Sequence, residues 1–155
     1  MKLITFLIAF LYGFFVLILF PLLFNQLNSY FSLPVYSLLF LKAIGVVTII
    51  FGLMIWLHCI SLFYFVGKGI PVPTSPPKKL VVKGVYKYSR NPMYVSVLFI
   101  LLGYFFISGS FLLLLYLVLA VVFFSLFISL YEEPILKKKF GKSYSEYCKR
   151  TPRWL

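Results

Sequence analysis

The chain alternates between long apolar segments and short segments rich in lysine and arginine. Predominantly apolar residues run from Leu3 to Phe24 and from Ala43 to Val66, and no formally charged residue lies between Met93 and Tyr131. A helix needs about 20 apolar residues to cross the hydrocarbon core of a bilayer. The third segment is nearly twice that length, and the turn-forming Ser108–Ser110 divides it. The pattern predicts an all-α polytopic membrane protein with four transmembrane helices, the last two forming a hairpin.

The two arms of this hairpin differ in length. As α-helices, Met93–Ile107 would extend about 22 Å and Phe111–Tyr131 about 32 Å. Pro92 suits the first turn of the shorter arm, because its missing N–H and fixed φ cost nothing there. We therefore expect the shorter arm either to begin below the membrane surface or to extend into the preceding loop.

The N-terminal apolar segment is predicted to be a retained helix rather than a cleaved signal peptide. A signal peptide has an apolar core of about 7–15 residues and then a small-residue cleavage site. Leu3–Phe24 is longer, and Asn25 and Gln26 follow it without such a site. The link Asn25–Pro34 contains no Lys or Arg, which is typical of the translocated side.

Basic residues are concentrated in two segments outside the apolar runs. Residues 67–90 contain six of the fifteen: Lys68, Lys78, Lys79, Lys83, Lys87 and Arg90. Seven more follow Glu133. The positive-inside rule places both segments, and both termini, on the cytoplasmic side. The first segment also contains Pro71, Pro73, Pro76 and Pro77, which predict an extended and semi-rigid path.

The tail after Glu133 shows a helical period. Four apolar or aromatic residues recur at spacings of four, four and three: Leu136, Phe140, Tyr144 and Tyr147. This pattern predicts an amphipathic helix lying on the cytoplasmic face, with lysines opposite. Pro152 would stop it, and Arg153–Trp154 would anchor the end among the headgroups. We divide the chain into two transmembrane helices (1–66) and a loop, hairpin and tail (67–155), together one structural unit.

Composition supports this class and excludes others. The chain is 63% apolar and 12% charged, with a net charge of +12. A basic surface on such a protein faces anionic headgroups, so the lipid bilayer is the expected partner and nucleic acid is not. His58 and Cys59 lack further ligands nearby, so no metal is expected and His58 is interpreted as structural or interfacial. Cys59 and Cys148 lie at different expected depths, which argues against a disulfide.

Two polar stretches flank the hairpin and are candidates for chemistry. Gly84–Tyr94 leads into it and Tyr131–Pro134 follows it, so both lie at the same membrane face. One interpretation is that Glu132 and Glu133 cap the span and bind lysines of the tail. The other is that a carboxylate accepts hydrogen bonds from ribose hydroxyls or an ammonium group. No Gly-rich phosphate loop, metal cluster or Ser/His/Asp set is present.

The order of several motifs resembles one family. The matching residues are Lys78-Lys79-Leu80-Val81, Gly84-Val85-Tyr86, Arg90-Asn91-Pro92-Met93-Tyr94, Glu132-Glu133, Phe140-Gly141, Tyr144, Tyr147 and Pro152-Arg153-Trp154. They resemble the isoprenylcysteine carboxyl methyltransferases and their phospholipid N-methyltransferase relatives. The resemblance implies an integral membrane methyltransferase that uses S-adenosyl-L-methionine and releases S-adenosyl-L-homocysteine.

The resemblance also implies a cofactor site at the cytoplasmic face. It would be formed by Lys78, Lys79, Leu80, Val81, Tyr86, Arg90, Asn91, Pro92, Met93, Tyr94, Glu132 and Glu133. Glu132 stands where the family has its cofactor-binding glutamate. An acceptor that arrives as a carboxylate or thiolate needs no general base, whereas an ammonium must first lose a proton. No catalytic residue is assigned, because the sequence offers no obvious base near the site except Glu132, Glu133 or Tyr94.

Two departures from the family bear on the acceptor. Asn91 stands where the prenylcysteine enzymes have histidine, and Ile128 where they have a substrate-contacting arginine. Loss of that arginine weakens the case for a prenylcysteine carboxylate.

The leading hypothesis is a methyltransferase acting on a lipophilic acceptor, either isoprenylcysteine-like or a related lipid or small molecule. Phospholipid amine N-methylation and thiol S-methylation are alternatives. A non-catalytic membrane subunit of the same fold is an alternative of another class, and a channel is disfavoured because no polar stripe runs through the spans.

Overall fold

A computed structural model describes Leu7 and residues 10–68 and 78–155. The proline-rich path predicted for residues 71–77, and the first residues of the predicted first span, lie outside these ranges. The described part is helical, and its helices are α1 (Phe10–Tyr30), α2 (Leu39–Gly67), α3 (Pro92–Ser108), α4 (Phe111–Phe140) and α5 (Lys142–Arg150), with a 3₁₀ turn at Gly84–Lys87.

Three of these helices, α1, α2 and α4, are long and apolar enough to cross a membrane. Helix α3 has 17 residues, or about 25 Å, which is shorter than a typical hydrocarbon core of about 30 Å. The all-α, membrane-integral class is therefore confirmed. That α3 completes a fourth span stays a prediction.

The hairpin begins and turns where the sequence predicts. Pro92 occupies the first turn of α3, and Gly109 ends the helix in the left-handed conformation (φ 64°) that glycine adopts without strain. The N–H of Tyr36 donates to the carbonyl of Gly109 over 3.1 Å. This bond ties the turn to the segment between α1 and α2.

Two predicted helix ends were wrong. Helix α1 continues past Phe24 to Tyr30, and α4 continues past Tyr131 to Phe140. In α1 the π turn Phe15–Leu19 comes just before Pro21, and in α4 the π turn Ile128–Glu132 comes just before Pro134. Each proline would otherwise interrupt its helix. A π turn widens the local hydrogen-bond spacing, so the missing proline N–H is tolerated.

The predicted single amphipathic tail helix was also wrong. Gly141 (φ 54°) ends α4, and α5 starts directly after it, so Phe140 and Tyr144 do not share one helix face. Tyr144 and Tyr147 are buried within the protein rather than turned to the membrane. Trp154 packs on the apolar core between α3 and α4, and its role as a headgroup anchor stays a prediction.

Helices α2 and α3 approach each other closely because glycines line their contact. A Cβ added at Gly45 would lie 2.7 Å from the Gly103 carbonyl oxygen, and one at Gly52 would lie 2.8 Å from that of Ser96. Small residues allow such backbone approach in the membrane, where packing rather than hydrophobic burial drives helix association. The close packing of α2 on α3 positions the first turn of α3, where the candidate site begins.

Candidate functional site

A partly buried contact joins the first turn of α3 to the π turn of α4. The Tyr94 hydroxyl donates a 2.6 Å hydrogen bond to Oε2 of Glu132. The Tyr94 ring packs on Phe124, with 5.0 Å between ring centroids. The predicted proximity of the hairpin's two ends is thus observed, although Glu132 lies within a continuous helix rather than at its exit.

Glu133 points to a different set of partners. Arg153 donates to both of its carboxylate oxygens, from Nε over 2.9 Å and from Nη2 over 2.8 Å. Nη1 of Arg90 lies 3.0 Å from Oε1 of the same carboxylate. These hydrogen bonds raise the pKa of the Arg153 guanidinium above its usual range. Of the two glutamates expected to bind the tail under the first interpretation, Glu133 does so. Its partner in the tail is Arg153 rather than a lysine.

The tail is fastened to the segment before α3 by backbone and side-chain hydrogen bonds. The Arg90 N–H donates to the Pro152 carbonyl (2.9 Å), and the Asn91 side-chain amide donates to the Arg153 carbonyl (3.0 Å). The Tyr147 hydroxyl donates to the Tyr86 carbonyl over 2.6 Å. Burial raises the pKa values of the Tyr86 and Tyr147 hydroxyls above their ordinary range. The tail therefore forms one wall of the site.

A cleft of about 670 Å³ opens beside these contacts. Its lining residues are Arg90, Glu133, Pro134, Lys137, Tyr144, Ser145 and Cys148. The Nε–H of Arg90 is buried and has no hydrogen-bond partner among the described residues, while its Nη1 lies 2.7 Å from Sγ of Cys148. A buried donor without a partner suits an anionic ligand group, and carboxylate and aromatic surfaces lie beside it.

The residues Lys78 to Val81 are not brought to this cleft. Lys78 and Lys79 are exposed, and Val81 is buried against Cys59 and Tyr86. Leu80 lines a second cleft, of about 550 Å³, on the opposite side of α5. Helix α5 thus separates this predicted group from Arg90 and Glu133.

The remaining predicted residues are structural neighbours of the site. Pro92 and Asn91 are buried, and Met93 packs with Tyr86 on the cluster around Cys59. Arg153, Tyr144 and Cys148 were not predicted as site residues. Their position in a basic tail indicated surface helix or membrane anchor, and only the fold reveals their partners.

Neither departure from the family's motif leaves a side chain free for a substrate carboxylate. Ile128 has 0% exposure within the core between α3 and α4. The Asn91 amide is engaged with the tail. His58 lies beside Gly84, and no three potential metal ligands cluster in the part of the chain that the structure describes.

A family model described as phospholipid methyltransferase matches residues 36–143, which is more than half of the chain. The matched region contains α2, α3, α4 and the whole set of predicted site residues. No curated protein and no solved structure matched the chain.

Proposed function

The chain belongs to the phospholipid methyltransferase family, and on that premise we propose that it is an integral membrane methyltransferase that uses S-adenosyl-L-methionine and acts on a lipophilic acceptor. The observation that carries this proposal is the Tyr94–Glu132 hydrogen bond. It joins the two motif segments of the resemblance, and Arg90 and Glu133 of the same segments line a cleft of about 670 Å³. We further propose that this site faces the cytoplasm, because the basic segments adjoin it.

The side chains present fit the cofactor. Its α-carboxylate would be held by Arg90, whose Nε–H is buried without a described partner. The Glu132 and Glu133 carboxylates would accept hydrogen bonds from its ammonium and hydroxyl groups. When bound, the cofactor supplies a methyl group activated by a positively charged sulfur. The remaining task of the protein is to orient the two reactants and to exclude water.

The residue at position 128 favours an amine acceptor over a carboxylate. Ile128 is fully buried, so no cation replaces the family's substrate-contacting arginine. Arg153 is engaged with Glu133, and Arg90 would be occupied by the cofactor carboxylate, so neither arginine is left for an acceptor carboxylate. Glu132 contributes a carboxyl group next to Tyr94 and no positive charge. Within the proposed activity, a phospholipid amine is therefore the first acceptor to test, ahead of a prenylcysteine carboxylate; a small thiol remains the alternative.

Cofactor binding separates this proposal from a non-catalytic membrane subunit. Purified protein in phosphatidylcholine nanodiscs is titrated with S-adenosyl-L-methionine and with S-adenosyl-L-homocysteine by calorimetry. Saturable binding of both is expected, with a stoichiometry of about one per chain. If neither ligand binds while the far-UV circular dichroism spectrum is still helical, the non-catalytic binding or assembly subunit is favoured instead.

A further inference from the structure

The second cleft, of about 550 Å³, has a lining that combines charge with apolar surface. Lys87 and Arg150 contribute two cations and Glu146 one carboxylate, while Leu80 and Val82 contribute apolar side chains. Positive charge therefore exceeds negative charge in this cleft. The proposed methyl transfer uses neither of the two cations.

Two hydrogen bonds hold the walls of the second cleft together. The hydroxyl of Tyr147 on α5 donates to the Tyr86 carbonyl over 2.6 Å. The hydroxyl of Thr151, directly after α5, donates to the Lys87 carbonyl over 3.4 Å. These bonds attach α5 and its end to the loop before α3, so the cleft between them is a fixed feature of the fold.

The two cations of the second cleft have no anionic partner within the protein. In the part of the chain that the structure describes, the salt bridges are those of Glu133 with Arg90 and Arg153. Arg150 follows Glu146 by one helical turn on α5, yet it forms no ion pair with it. A phosphate group presents several acceptor oxygens and is bound well by Lys and Arg together.

The loop that forms one wall lies along the last turns of α2. A Cβ added at Gly84 would lie 2.7 Å from Nε2 of His58, and the Tyr86 ring packs on Phe63 with 5.7 Å between ring centroids. Helix α2 has 29 residues, or about 43 Å, so it is longer than a hydrocarbon core of about 30 Å. We therefore expect the second cleft to open at the depth of the phospholipid headgroups.

We propose that the second cleft binds the phosphate group of an anionic membrane phospholipid, with Lys87 and Arg150 as the donors. The first carbons of the acyl chains would lie against Leu80 and Val82. The excess of one positive charge in the lining matches the single negative charge of a lipid such as phosphatidylglycerol. Helix α5 separates this cleft from the one assigned to the cofactor, so the inference does not depend on the proposed methyl transfer.

The test compares two double variants that each remove two positive charges. Lys87→Gln with Arg150→Gln removes the proposed donors, whereas Lys142→Gln with Lys149→Gln alters exposed lysines that line neither cleft. The full chain in neutral detergent micelles is titrated with phosphatidylglycerol, and native mass spectrometry counts the bound lipids. Wild type and the control are expected to bind one lipid saturably, and the first variant about tenfold more weakly. Equal weakening in both variants, or no saturable binding to wild type, would overturn the assignment.

Three further ligands test what the second cleft recognises. Phosphatidylcholine with the same acyl chains has no net charge and is expected to bind more weakly than phosphatidylglycerol. Glycerol phosphate and inorganic phosphate are expected not to displace phosphatidylglycerol at equal concentration, because they lack acyl chains to contact Leu80 and Val82. Displacement by either soluble phosphate would show a site for free anions, and equal binding of phosphatidylcholine would refute the preference for an anionic lipid. No S-adenosyl-L-methionine is present, so these results are independent of whether the chain transfers methyl groups.

Discussion

Tyr94 and Glu132 are 38 positions apart in the chain, and their side chains meet in a 2.6 Å hydrogen bond. The bond connects the first turn of α3 to the π turn of α4, so that two segments with little specificity of their own form one site. Since π turns inside α-helices occur frequently at functional sites, the turn at Ile128–Glu132 is consistent with this role.

Substitution of Glu132 tests its role toward the cofactor. Glu132→Gln is expected to weaken S-adenosyl-L-methionine binding by about 1.5–3 kcal/mol, the size of a hydrogen bond to a charged group. Glu146→Gln is the matched control, because Glu146 is exposed on α5. Calorimetric titration of the two variants makes the comparison. If a folded Glu132→Gln protein binds the cofactor as tightly as Glu146→Gln does, Glu132 has only a structural role as the partner of Tyr94.

Removal of the Arg153 side chain tests how the tail is held. Arg153→Ala loses both hydrogen bonds to Glu133 and is expected to destabilise the fold by about 1–2 kcal/mol. The estimate is modest because the arginine side chain is 36% exposed. Arg150→Ala, at an exposed position of α5, serves as the control. Thermal unfolding in nanodiscs measures both, and equal midpoints would contradict the tail's role as a wall of the site.

Alkaline pH is expected to weaken the attachment of the tail. Burial raises the pKa of the Tyr147 hydroxyl in the folded state, while the unfolded chain loses this proton near pH 10. The stabilisation is therefore complete below pH 10 and is lost as pH rises further toward the folded-state pKa. Unfolding midpoints from pH 8 to 11.5 should fall less steeply in Tyr147→Phe than in wild type. Tyr88→Phe, with an exposed ring, should follow the wild-type slope.

The glycine contact between α2 and α3 is expected to tolerate no added methyl group. A Cβ at position 103 would lie 2.6 Å from the Gly45 carbonyl oxygen, so Gly103→Ala should cost about 1–3 kcal/mol. Gly13→Ala is the control, since nothing lies within 4 Å of its added Cβ. Thermal unfolding in nanodiscs compares the two. If Gly103→Ala leaves the unfolding midpoint unchanged, the helices can move apart more easily than their packing indicates.

Local signals predicted several features of the fold correctly. Pro92 at a helix start and Ser108–Ser110 at a turn act within a few residues, so the sequence alone is enough to find them. The end of α4 was missed because the π turn before Pro134 depends on how the whole helix packs. The four-residue spacing of Phe140 and Tyr144 predicted that both lie on one face of a single helix. This was wrong, because Gly141 breaks the helix between them.

The sequence predicted the proximity of segments that depends on the hairpin but not the contacts that involve the tail. The proximity of Arg90–Tyr94 to Glu132 and Glu133 followed from the hairpin topology, since its two ends must return to one face. The individual pairing of Tyr94 with Glu132 did not follow from it. The pairing of Glu133 with Arg153 did not follow, because the partner lies in a tail whose position only tertiary contacts determine. The roles of Lys78 to Val81 in cofactor binding stay a prediction, and in this structure Leu80 borders a separate cleft.

Transfer of a labelled methyl group tests the central claim most directly. Wild-type protein in nanodiscs containing phosphatidylethanolamine is incubated with methyl-labelled S-adenosyl-L-methionine, and the extracted lipids are separated by chromatography. Label is predicted in N-methylated phospholipid for the wild type, and much less label for Glu132→Gln at the same cofactor concentration. A wild-type protein that binds the cofactor but labels neither this lipid nor any component of a total lipid extract would contradict the account.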